Sequence, residues 1–156
     1  MDEAARLGRE GVREIVVTGV WDGIDRVRLS SIQPIEIDDA LVDVFATHPR
    51  VCPHLHLSCQ SGDDDVLRAM NRPYDTAFYL ALARRLRDAV PDLAITTDLI
   101  VGYPGETEAM HRNTLAFARA VGFQRTHVFR YSPRPRTHAA TLPDDVPDDV
   151  KRHRHE

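Results

Sequence analysis

The residue types able to do chemistry fall in a few short clusters along the sequence. Thr18-Gly19, Ser30-Ser31, Gln60-Ser61-Gly62, Asp98 followed by Gly102 and Gly105, and Arg130-Tyr131-Ser132 each combine polar side chains with small residues or a turn. Gly102 and Gly105 would let backbone approach a ligand closely, and the amides opening the helix after Thr107 could hold an oxygen anion. The same glycines also serve an ordinary strand-to-helix turn. His54, His56 and Ser58 alternate with Leu55 and Leu57, so the histidines share one side of a strand. A His-x-His pair could ligate a metal, but the strand itself adds no Asp or Glu to the set, and the reading is a polar lining. Cys59 lacks a neighbour that would activate it and reads as a buried, inert thiol. Lys151-Arg152-His153-Arg154-His155 reads as a solvated basic end, with phosphate contact as its alternative.

These clusters need elements to position them. Residues 2–10 read as a short helix closed by Gly11. Glu14–Thr18 and Arg26–Ser30 read as strands, and helical spacing of Leu41, Val42 and Phe45 follows from Asp38 to Pro49. The strand His54–Ser58 leads through a turn into a short helix, capped by Ser61 or Asp63, that holds Val66, Leu67 and Met70. Asp75 caps a longer helix with Phe78, Leu82, Leu86 and Val90 as its stripe; Thr107 caps another with Met110, Leu115, Phe117 and Val121, ending at Gly122. Leu93–Val101 and Arg125–Arg130 are the remaining strands.

Strands alternating with helices predict an α/β fold with a mostly parallel, curved sheet, and burial of Val16, Leu55, Leu57, Ile95 and Val128. The link from Val20 to Asp25 is too short for a parallel crossover. Either the first two strands pair antiparallel or a helix is missing there. A full eight-fold barrel needs about 250 residues, so a chain of 156 residues is at most part of one. Residues 1–132 form the expected core domain, and the Pro-rich, charged residues 133–156 an extended linker.

The net charge of −4 argues against a free-standing nucleic-acid domain and confines any such contact to a local patch. No apolar run reaches the ~20 residues that span a bilayer, and the charged opening MDEAARLGRE is unlike a secretory signal. Two cysteines, Cys52 and Cys59 with six residues between them, are too few for a disulfide framework and wrongly spaced for a zinc knuckle, and the expectation is a cytoplasmic protein.

Taken together, VREIVVTGV, RVRLSSIQP, CPHLHLSCQSGDDDVLRAMNRPY, AITTDLIVGYPGET and VFRYSPRPRTHAAT resemble the radical SAM methylthiotransferases over nearly the whole chain. PIEIDDALVDVFATHPRVCPHLHLS resembles most the branch acting on tRNA that carries N6-threonylcarbamoyladenosine (t6A) at position 37. The isopentenyladenosine tRNA branch and the ribosomal-protein S12 branch are the alternatives. The resemblance implies a partial (β/α) barrel holding S-adenosylmethionine and [4Fe-4S] clusters, with a 5′-deoxyadenosyl radical attacking C2 of adenine, and tRNA rather than DNA or membrane as partner. It places Thr18 and Gly19 at the methionine end of the cofactor. Gln60, Ser61 and Asp98 fall beside the ribose and reacting centre, Ile100, Gly102 and Gly105 against adenine, and Arg130 at the close of the last strand. It assigns no catalytic side chain.

Departures from the family pattern set further expectations. The family's C-x3-C-x2-C cluster loop precedes the first helix, and this sequence starts after it; Cys52 and Cys59 cannot replace three thiolates on one loop. The reading is therefore a segment inactive by itself, with no metal ligands of its own. Alternatives are a non-catalytic remnant that keeps the fold, or a small nucleotide-binding α/β protein. The short Val20–Asp25 link looks like a deletion relative to the family, and Arg136 and His138 stand where the family usually has Gly and Pro.

Overall fold

The computed structural model describes residues 25–156 and, by backbone alone, residues 14–16. Five strands make one sheet: β1 (Glu14–Val16), β2 (Arg26–Ile32), β3 (Val51–Leu57), β4 (Ala94–Val101) and β5 (Arg125–Arg130). Their order in the sheet is their order in the chain, and every neighbouring pair is parallel. Between them lie α1 (Asp39–Thr47), α2 (Asp64–Ala69), α3 (Thr76–Ala89) and α4 (Glu108–Val121), with α5 (Asp148–His155) after β5. The expected helix over residues 2–10 and the ends of the first strand lie outside the described residues.

Local chemistry sets the helix starts. Asp38 Oδ1 accepts from the Leu41 amide (2.8 Å), Asp75 Oδ1 from Phe78 (2.7 Å) and Thr107 Oγ1 from Met110 (3.3 Å), so each helix has one of its orphan donors satisfied. At α2 the cap is Asp63, which accepts from Asp65 and Val66, rather than Ser61. Gly122 ends α4 at φ 66°, a left-handed C-terminal turn.

The parallel sheet is apolar on the face that helices cover. Leu55, Leu57, Ile95 and Leu99 pack there against Leu82 and Leu86 of α3, Phe45 of α1, and Phe117 and Val121 of α4. Tyr79 is fully buried at the centre, donating its hydroxyl to the Leu57 carbonyl (2.7 Å) and meeting Phe117 and Phe123 edge-on.

The structure corrects several expectations. Phe78 and Leu115 are exposed (46% and 42%), because the buried stripes run through Tyr79, Leu82, Ala83 and Leu86 on α3, and His111, Thr114, Phe117 and Val121 on α4. Val128 is only half-buried, since β5 is the edge of the sheet and little covers it. β1 and β2 pair in parallel with residues 17–25 between them, which removes the antiparallel alternative. The extended linker expected over residues 133–156 contains instead a 3-10 turn at His138–Thr141 and helix α5, whose Lys151 is buried. α5 is held because Lys151 and Arg154 find carboxylates on which to dock.

Candidate functional site

The face of the sheet away from the core carries the polar half of the alternation. His54 and His56 of β3, Thr96 and Asp98 of β4 and His127 of β5 share it by register. The Thr96 hydroxyl lies 3.2 Å from His54 Nε2 and 3.1 Å from His56 Nδ1, while His56 Nε2 lies 3.5 Å from Asp98 Oδ2 and the His56 and His127 rings are 6.2 Å apart. With both imidazoles neutral, one consistent direction of donation runs from His54 Nε2–H to Thr96, from the Thr96 hydroxyl to His56 Nδ1, and from His56 Nε2–H toward Asp98. The polar lining expected of the His-x-His pair is thus present, and the carboxylate that β3 lacks comes from β4.

Asp98 leads into a cavity of about 630 Å³ at the carboxyl ends of β4 and β5. Gln60, Asp98 and Ile100 form one wall; Phe129, Arg130, Tyr131 and Ser132 form a second; Met70, Asn71, Arg72 and Tyr103 close a third; and Arg134, Thr137 and His138 stand at the rim. The volume is that of a small-molecule or cofactor site. Gln60 is held there by backbone. Its amide donates to the Asp98 carbonyl (2.9 Å), its carbonyl accepts from Ile100 (2.9 Å), and its φ is 77°, a left-handed conformation imposed on a residue with a Cβ. Tyr103 donates to the Ala69 carbonyl (3.0 Å) and meets Tyr131 edge-on at 5.4 Å.

Four of the residues expected at the cofactor, Gln60, Asp98, Ile100 and Arg130, come together at this cavity. Thr18 and Gly19 lie outside the described residues. Ser61 is buried, its hydroxyl 3.2 Å from Thr114 Oγ1 on α4, and serves packing. Gly62 beside it would place a Cβ 2.6 Å from that of Phe117, which explains its glycine without a ligand.

Gly102 is also occupied by protein. A Cβ there would stand 2.3 Å from Lys151 Cγ, φ is 73°, and its amide donates to Glu106 Oε2 at 2.6 Å. Gly105, at φ 79°, donates to Asp145 (2.7 Å) and has open space where a Cβ would be. The turn after β4 is therefore a seat for α5. Arg154 donates to Glu106 at 2.8 Å with both side chains almost fully buried, and Lys151 pairs with Asp144 and lies 5.5 Å from the Tyr131 ring centre. Of the basic end read as solvated, Lys151 and Arg154 are internal, whereas Arg152, His153 and His155 are exposed as expected. His111 packs under this junction, where burial, despite nearby Glu106, lowers its proton affinity.

Cys59 is buried, donates from Sγ to the Ser61 carbonyl, and burial pushes its thiol up to about 12, so it remains an inert thiol. Cys52 is buried as well. Among the described residues no group of three or more His, Cys, Asp or Glu could hold a metal ion, and two buried cysteines do not fit an iron–sulfur cluster. No described helix is long and apolar enough to cross a membrane. Sequence reasoning passed over Arg72, Tyr103 and Arg134 in the cavity; for Arg134 a signal was available, since the arginines after Glu108 up to Pro143 occur without an intervening acid, and for Arg72 and Tyr103 there was none.

Comparison with known proteins adds to this geometry. A profile of the Radical SAM superfamily matches residues 1–118. A tRNA-2-methylthio-N(6)-dimethylallyladenosine synthase of Endomicrobium trichonymphae is 39% identical over 176 positions, covering 99% of this chain and 42% of the relative. The threonylcarbamoyladenosine tRNA methylthiotransferase MtaB of Thermotoga maritima is 41% identical over 175 positions, covering 98% of this chain and 40% of the relative. The chain thus spans about two fifths of the length of these curated relatives. An alignment of 176 positions to a chain of 156 residues means that about twenty positions of the relative have no counterpart here. Among solved structures, the Escherichia coli coproporphyrinogen III oxidase HemN, a radical SAM enzyme, superposes with a TM-score of 0.67 at 23% identity over 83% of this chain and 30% of that one, a likeness of fold.

Proposed function

We propose, for a chain that belongs to the Radical SAM superfamily, that it is the cavity-bearing part of a tRNA methylthiotransferase acting at C2 of N6-threonylcarbamoyladenosine. The observation that carries this reading is the convergence of Gln60, Asp98, Ile100 and Arg130 on one cavity at the strand ends, in a chain whose relatives bear methylthiotransferase names. Arg72, Arg130 and Arg134 line the same cavity against a single carboxylate, Asp98. That balance favours a substituent ending in a carboxylate, as threonylcarbamoyl does, over an apolar dimethylallyl group.

S-adenosylmethionine, when bound, would supply the methyl group and the adenosyl portion. Asp98, oriented from behind by His56, would accept from ribose hydroxyls, Gln60 would donate from its side chain, and Ile100 would pack against a base. Cys52 and Cys59 are both buried and make no thiolate set for a cluster, so what the residues of this chain would do is bind and orient. Cofactor affinity resting on a few hydrogen bonds, each about 0.5–1.5 kcal/mol, should be about millimolar.

The test is a graft of this chain in place of the matching stretch of the Thermotoga relative, followed by mass spectrometry of tRNA nucleosides. Methylthio-threonylcarbamoyladenosine is the expected product. The methylthio-dimethylallyl product moves the chain to the other branch, and a folded chimera making neither removes the reading.

A further inference from the structure

From Ala109 to Pro143 the sequence contains six arginines and no Asp, Glu or Lys, a local charge of +6 in a chain of net −4. The fold concentrates the end of that run. Arg130 closes β5 and Arg134 stands at the rim, both lining the cavity; Arg136 is exposed in the turn closed by the Thr137-to-Arg134 hydrogen bonds. None of the three meets a carboxylate among the described residues, whereas Arg68, Arg85 and Arg154 each do. Beside them Phe129 is 53% exposed on β5, and β5 is the last strand of the sheet. Exposed unpaired guanidinium groups next to an exposed ring are the equipment for a single nucleic-acid strand, since the cations follow phosphates and the ring stacks a base. The negative charge carried by the rest of the chain would repel the same polyanion, which leaves this rim as the favourable place for it.

We propose that Arg130, Arg134 and Arg136, with Phe129, form the docking surface for an unpaired RNA strand. The phosphates lie on the arginines, and a base next to the one in the cavity stacks on Phe129. The inference rests on the tRNA reading above and adds where on the molecule the strand runs.

The test uses the 156-residue chain and a fluorescein-labelled anticodon stem-loop RNA, with anisotropy titrations at several salt concentrations. Replacing Arg130, Arg134 and Arg136 together by Gln should weaken binding about 10- to 100-fold at moderate salt and reduce the slope of log affinity against log salt by about 2, at roughly 0.7 per single-strand phosphate contact. Phe129→Ala should weaken binding about 5- to 100-fold and leave the slope unchanged. An equal-charge control, Gln at the exposed Arg84, Arg112 and Arg119, should change affinity less than about threefold. The triple Lys variant of the rim should keep the slope, which preserves the test if the Gln variant does not fold. Equal losses in rim and control variants, or no RNA binding by the unchanged chain, overturn the surface. A chimera that makes a methylthio product while the rim variants bind RNA normally removes this surface alone and leaves the functional reading standing.

Discussion

Along β3 and β4 the odd-numbered and even-numbered residues live under different rules. Leu55, Leu57, Ile95, Thr97 and Leu99 face the helices, and each of them is buried. His54, His56, Thr96 and Asp98 face the other way and bond to one another across strands. The first face obtains its free energy from apolar area removed from water, which makes it insensitive to which polar groups are present but sensitive to volume. The second is partly buried as well, with Thr96 buried and the His56 side chain 12% exposed, but its polar groups gain little from that and are fixed by donor and acceptor matching. One sheet can therefore have its stability and its chemistry altered separately.

The sharpest break of that comparison is a matched pair of truncations. Leu55→Ala should lose about 2–5 kcal/mol of stability in denaturant unfolding, because a fully buried side chain leaves a cavity. His56→Ala should cost less than about 1.5 kcal/mol by the same measurement, yet it should weaken S-adenosylmethionine binding in calorimetry to the same degree as Asp98→Ala. Similar losses of stability from both truncations would mean that the polar face is structural too.

A second experiment asks whether the turn after β4 belongs to the packing side. Gly102→Ala should cost about 1–3 kcal/mol in thermal or chemical unfolding, from its positive φ and its conflict with Lys151. In a Lys151→Ala background the same change should cost about 1 kcal/mol less, a coupling that a ligand-contact role would not produce.

Smaller again is the effect expected at the rim. Arg136 has φ 70° at the position where the resembled family usually has glycine. Arg136→Gly should raise stability by about 0.5–1 kcal/mol, the left-handed strain removed less the added freedom of the unfolded chain. It would do so while removing one of the cations assigned to RNA.

The smallest effect is on pH dependence. Burial lowers the folded-state proton affinity of His111 below its ordinary value of 6.5. The unfolded chain therefore binds the proton first as pH falls, and stability present above about pH 6.5 is lost below it. Unfolding curves between about pH 7 and 5 should show that slope, and His111→Gln should flatten it.

What could be read in advance divides along the same line. Asp38, Asp75 and Thr107 announced their helices, because a short polar side chain before an apolar run has a local partner in the first turn. The stripes of α3 and α4 were read one residue out of phase at Phe78 and Leu115, since spacing gives a period and not which neighbour faces inward. Polar Thr114 and His111 hid the true stripe of α4. That Gln60, Asp98 and Arg130 would gather at one edge was readable because strand ends collect polar groups in βα folds, while Ile100 came from the family resemblance; all four line one cavity. Ser61 and Gly102 were not, because what fixes them, Thr114 and Lys151, is about fifty residues away in sequence.

Strand order that repeats chain order has a consequence for how the molecule comes into being. Each strand needs only its predecessor as a template, so a chain leaving the ribosome can add β2, β3, β4 and β5 in turn, with none inserted between two already formed. The tail is the exception, because Arg154 must return 48 residues to reach Glu106. Birth order is then sheet first and the docking of α5 on it afterwards. Pulse-labelled hydrogen exchange during synthesis should show β3–β4 amides protected before the Lys151 amide that opens α5. Until α5 has emerged, the turn after β4 is a seat without its helix, with Glu106 still waiting for Arg154.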